Sequence, residues 1–235
     1  MIESISDAVQ LAVLAACFAV SLGRALRGRD NVWITLTSFF ACMLLGNAYW
    51  LGYQLVFGDD PHYSLIADMS WVAGYAFLVI LAVELDRKRG VSAPVPIAWI
   101  PVAVCAACCI FYIVDSGSIA LNIADNGLLA AVGFFAVRGV VASDAPDAQP
   151  VASDARSITP ITRPAERPQS RHLAGSRPLH ASLLAFVAVE QALWLASCFT
   201  EYSLIASVEP YIVLNYALTL SYAAILACAW RPGRP

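Results

Sequence analysis

The stretch 63–89, YSLIADMSWVAGYAFLVILAVELDRKR, decides the fold. From Tyr63 to Leu85 it is almost wholly apolar, and at 1.5 Å per residue it is long enough to cross ~30 Å of hydrocarbon as a helix. It then runs into Asp86-Arg87-Lys88-Arg89, a charged stop. The turn ahead of it, Gly58-Asp59-Asp60-Pro61, carries acids and no base. One membrane crossing therefore has an acidic end and a basic end.

The same alternation continues outward in both directions. Apolar runs near 6–27, 33–57, 63–85, 95–115, 118–142, 179–200 and 209–230 are each sized to span a bilayer. All fourteen Lys and Arg fall in alternate gaps: Arg24 to Arg29, Arg87 to Arg89, Arg138 to Arg177, then Arg231 and Arg234. The other gaps hold Glu3 and Asp7, Asp59 and Asp60, Asp115, Glu201 and Glu209. Basic residues mark the cytoplasmic side of a multi-pass protein. The expected fold is all-α, a polytopic membrane protein of seven transmembrane helices with the N-terminus outside and the C-terminus cytoplasmic.

Composition agrees with that class. Sixty per cent hydrophobic against 13% charged residues, at mean hydropathy +0.69, is far from the balance of a water-soluble domain. Residues 1–143 supply helices 1–5 and residues 179–235 helices 6 and 7, as one membrane domain. Between them, 144–178 is rich in Pro, Ala, Ser, Asp and Arg without apolar periodicity, so a disordered cytoplasmic loop is expected there. The first apolar run has acids before it rather than a basic n-region, and is expected to stay as a span. Basic residues dispersed singly, without interleaved aromatics, exclude nucleic acid as a partner. The lipid bilayer is the first partner implied.

Several chemistries are argued against. A retinal Schiff base needs a Lys inside the last helix, and the only Lys is Lys88. His62, His172 and His180 lie at an outer edge, in the loop and at an inner edge, so they cannot share a metal or a haem; each reads as interfacial or solvated. Cys105, Cys108 and Cys109 contain a C-x-x-C spacing, but on an apolar helix buried thiols acting as small hydrophobes are the better reading. No cofactor, no metal ligand and no catalytic residue is assigned. Pro101 is expected to bend the fourth helix.

Polar residues inside the spans are expensive, and they fall in stripes. Asn47, Trp50 and Gln54, flanked by Tyr53, share one face of helix 2; Asp68, Trp71 and Tyr75 share one of helix 3. Asn122, Asp125 and Asn126 mark helix 5, Glu190 and Trp194 helix 6, Asn215 and Tyr222 helix 7. Counted from the boundaries, Asp68 and Asp125 lie roughly 8 to 10 Å deep, with Asn47 and Glu190 deeper. A carboxylate at mid-depth costs about 2.5–3 kcal/mol or more, so it is normally paired, protonated or wetted, and no Lys or Arg is on hand to pair these. The stripes are expected to meet around an outward-facing polar and aromatic pocket. A small polar ligand, cationic in keeping with the acids and indoles, is the expected occupant. The bland alternative is interhelical hydrogen bonding that glues the bundle.

The segment 47–85 carries Asn47, Tyr49-Trp50, the turn at Gly58 to Pro61, and Asp68-x-x-Trp71-x-x-x-Tyr75. In these residues, under a quarter of the chain, it resembles the N-terminal multi-span sensory modules of bacterial diguanylate cyclases and histidine kinases. The resemblance implies a bacterial inner-membrane location and signalling to a cytoplasmic output. With no output domain in this sequence, it implies a separate cytoplasmic partner, engaging the 144–178 loop. The leading functional expectation is a non-catalytic sensor or small-molecule-binding module. A small proton-coupled transporter or transporter subunit and a carboxylate-dependent membrane hydrolase are the alternatives.

Overall fold

The computed structural model describes residues 2–28, 30–58, 65–89, 95–116, 119–141, 176–201 and 209–230. They form seven α-helices: α1 (Ile2–Gly28), α2 (Asn31–Phe57), α3 (Leu65–Arg89), α4 (Trp99–Ser116), α5 (Ile119–Val141), α6 (Ser176–Glu201) and α7 (Glu209–Trp230). All seven are long and apolar enough to cross a membrane, and no strand occurs among the described residues. A helix satisfies its own backbone, which is what a hydrocarbon surrounding demands.

Local chemistry sets the ends. The Asp30 side chain caps α2 by accepting from the Val32 N–H at 3.1 Å, and Gly58 closes it in the left-handed conformation at φ 73°, donating its N–H to Gln54 O. A 3-10 turn, Pro96–Ala98, leads into α4. Pro101 then lies in the first turn of α4, where its missing N–H has no helical acceptor to lose, so the expected bend has no cause. Several expected boundaries move: α1 begins at Ile2, four residues before the expected start, and the α-helix of α4 begins at Trp99, four residues after it. The α3 helix continues through Asp86, Arg87 and Lys88 to Arg89, and α6 begins at Ser176, three residues inside the expected loop. The rest of 144–178 lies outside the described residues, as do His62, Tyr63, His172 and Tyr202.

Six helices close a ring: α1 packs on α2, α2 on α3, α3 on α5, α5 on α6, α6 on α7, and α7 back on α1. The α4 helix lies outside the ring against α5, touching α6. Alternate helix ends meet, which gathers the charges. At one end Arg138 pairs with Asp86 at 3.4 Å and Lys88 with Glu84 at 3.4 Å, while Arg24 sits by Trp33 and Trp230. The opposite end brings Asn215 of α7 onto Ser6 and Asp7 of α1.

The middle of the ring is filled by Phe39, Phe40, Phe186 and Tyr222, whose rings stand 5.0 to 6.0 Å apart, with Leu78, Leu81 and Met43 around them. Residues on the outer faces, such as Leu220 at 70% exposure, point to where lipid would be. His180 departs from its expected interfacial or solvated position. It is fully buried against Gly139 where α6 meets α5, a contact that needs the absent glycine side chain.

Candidate functional site

The polar residues of α3, α5 and α6 come together on the ring's inner side. Measured from the helix ends at ~1.5 Å per residue, Asp68 lies about 5 Å in, Asp125 about 9 Å, and Glu190 about 16 Å, close to half of a ~30 Å hydrocarbon layer. The three acids therefore descend from the acidic end toward the middle. Asp68 and Glu190 are both within electrostatic range of Asp125.

Glu190 is 6% exposed. Its Oε1 accepts a hydrogen bond from the Tyr75 hydroxyl of α3, and no donor stands in good hydrogen-bond geometry to its Oε2. Trp194, one turn along α6, brings its indole N–H toward the same carboxyl group as the nearest further donor. Asp125 presents a buried Oδ1 without a hydrogen-bond partner. Bare buried carboxyl oxygens are unusual, because leaving an acceptor unmet costs about 1–3 kcal/mol.

Beside the acids runs a file of aromatic rings. Trp71 stands between Trp50 of α2 at 5.8 Å and Trp194 of α6 at 6.4 Å, and Trp194 meets Tyr112 of α4 at 6.3 Å. Gly46 makes this possible: a Cβ there would lie 2.6 Å from the Trp71 indole nitrogen. A second strand of polar contacts ties α5 to α6. Gln191 Nε2 donates to Asn126 Oδ1 at 3.1 Å, and Tyr112 donates its hydroxyl proton to the Gln191 carbonyl at 3.2 Å.

Of the residues singled out from sequence, Trp50, Asp68, Trp71, Tyr75, Asp125, Asn126, Glu190 and Trp194 are gathered here. Asn47 turns its amide onto the Met43 carbonyl of its own helix, and Tyr53 stacks along α2 between Tyr49 and Phe57. The Asn122 carbonyl accepts from the Cys109 thiol and the Asn126 amide. Tyr222 sits below the acids, its hydroxyl on the Met43 sulfur at 3.8 Å. Asn215 is elsewhere, donating to Ser6 and Asp7 of α1 at 3.1 and 2.9 Å.

The chain matches no family model, no curated protein and no solved structure to which it was compared.

The arrangement itself must then speak for the chemistry. Three carboxyl groups, a tyrosine donor and three indoles suit recognition of a cation, through charge and through the ring faces. Among the described residues no three His, Cys, Asp or Glu side chains are grouped to hold a metal, and the seven cysteines are all free thiols. Gln191 and Tyr112 were not expected at the site. Gln191 follows Glu190 directly, so it points 100° round the helix, toward α5 and α4 rather than α3. The signal was available in the adjacent polar pair Glu190-Gln191 within an apolar run, and in Tyr112, the one tyrosine of helix α4.

Proposed function

We propose that the protein is a non-catalytic recognition module for a small organic cation, embedded in a bacterial cytoplasmic membrane and open on its acidic, outward side. The observation that carries this reading is the buried carboxyl pair of Asp125 and Glu190, with Asp125 Oδ1 left without a hydrogen-bond partner, beside the indoles of Trp71 and Trp194. A positively charged group entering between them would meet both acceptors and the ring faces at once. Occupancy would pull α3, α5 and α6 together, and their basic ends would relay the change to a cytoplasmic partner. The apolar layer of Phe39, Phe40 and Phe186 below Glu190 favours sensing over passage of a solute through the ring.

The test is thermal unfolding of the full chain in mild detergent, with tetramethylammonium chloride or primary alkylammonium chlorides against sodium chloride at equal ionic strength. A ligand at 100 times its dissociation constant stabilises by about 2.7 kcal/mol, well within reach of such a measurement. The expected result is a rise in Tm with an organic cation that Asp125→Asn abolishes. Equal Tm in all salts, or an undiminished rise in Asp125→Asn, would dismiss the proposal.

A further inference from the structure

On the other side of the ring, α1 and α7 part to leave an apolar groove of about 320 Å³. Val13, Ala16 and Val20 of α1 face Ala223, Ala227 and Trp230 of α7 across it. The two helices are held together at the acidic end by the bonds of Asn215 to Ser6 and Asp7, and small side chains let the groove open toward the basic end. Positions 13, 16, 20 and 24 share one helix face, so the stripe leads to Arg24. From Val13 to Arg24 is about 16 Å, the depth of one leaflet of a ~30 Å hydrocarbon core.

Arg24 is held in an unusual way. Its guanidinium lies 3.6 Å over the Trp230 ring and 5.9 Å from that of Trp33, and the two indoles meet edge to face at 6.2 Å. No carboxylate pairs with it among the described residues. Stacking occupies the face of the guanidinium and leaves its N–H fork free at the edge, the geometry that grips a phosphate. Arg27, exposed one turn beyond, adds a second positive charge at the same mouth.

We infer that this groove holds one acyl chain of an anionic phospholipid from the leaflet on the arginine side, with the phosphate on Arg24. The Ala-lined wall accepts the chain, the two indoles mark the interfacial level, and Arg24 with Arg27 selects net negative charge. This site is independent of the carboxylate cluster and faces the lipid rather than the ring interior.

Native mass spectrometry of the full chain, released from micelles doped with equal amounts of phosphatidylglycerol and phosphatidylcholine, tests it. The wild type is expected to retain phosphatidylglycerol in preference. Loss of a charge-assisted contact in Arg24→Gln should lower that retention about tenfold, with Arg24→Lys recovering part of it. Ala227→Leu, a change on an exposed position, fills the groove and should lower it as well. Equal retention of the two lipids, undiminished phosphatidylglycerol on both Arg24→Gln and Ala227→Leu, or a protein dimer that Ala227→Leu dissociates would each overturn the inference.

Discussion

Tyr75 and Glu190 form a contact between helices that are 115 residues apart in sequence, and both are buried. Tyr75→Phe leaves the ring packing on Phe186 intact but strips Glu190 Oε1 of its donor. The cost should be about 1–3 kcal/mol, read as a lower unfolding midpoint in detergent. Glu190→Gln keeps the shape and supplies a donor of its own, so it should cost less than Tyr75→Phe. The reverse ranking would mean that the carboxylate itself, not its satisfaction, holds the helices. Gly46 gives a second residue-scale expectation. An alanine there would put its Cβ 2.6 Å from the Trp71 nitrogen and 3.3 Å from the Ala67 carbonyl, neither of which can yield freely. Gly46→Ala should destabilise by about 1–3 kcal/mol and shift the indole fluorescence, whereas Gly127→Ala, with open space around it, should do neither.

At the scale of elements, the seam of α5 and α6 depends on hydrogen bonds inside an apolar setting. Such bonds contribute about 0.6 kcal/mol on average and up to about 1.7, because the separated helices also find partners. Asn126→Ala should therefore cost no more than that, and a double change with Gln191→Ala should be clearly less than additive, as checked by a double-mutant cycle in detergent unfolding. Helix existence was readable in the sequence because an apolar run of some twenty residues has one common outcome in lipid. Ends were less so: Asp86 to Arg89 look like a turn by charge, yet Arg87 and Lys88 reach back to Glu84 along a continuing helix. The stripes gave the faces of α3, α5 and α6, and hence Asp68, Asp125 and Glu190 as neighbours. They could not give the order of helices around the ring, which no local periodicity encodes. That is why Asn215 was grouped with the acids while the structure turns it toward α1, and why His180 was expected at the interface or in solvent although Gly139 opens a buried place for it.

On the scale of the whole molecule, the basic side chains are sorted to one end. Arg24, Lys88 and Arg138 lie at one end of the bundle, Asp7 and Asp68 at the other, with an aromatic and aliphatic layer between. Reporter fusions should place the α3–α4 connection, beyond Arg89, in the cytoplasm and the α2–α3 connection, beyond Gly58, outside. Exchanged reporter signals would reverse the orientation and put the indole file on the cytoplasmic side.

The ring closes with α1 beside α7, yet seven is odd. The start of α1 and the close of α7, though in neighbouring helices, stand at opposite ends of the bundle. Joining them to make a permuted chain would need a linker that itself crosses the hydrocarbon. Cutting the polypeptide within an existing connection is a different matter: two fragments, such as one ending after α5 and one beginning before α6, should reassemble when made together, since each helix already meets its lipid surroundings unaided.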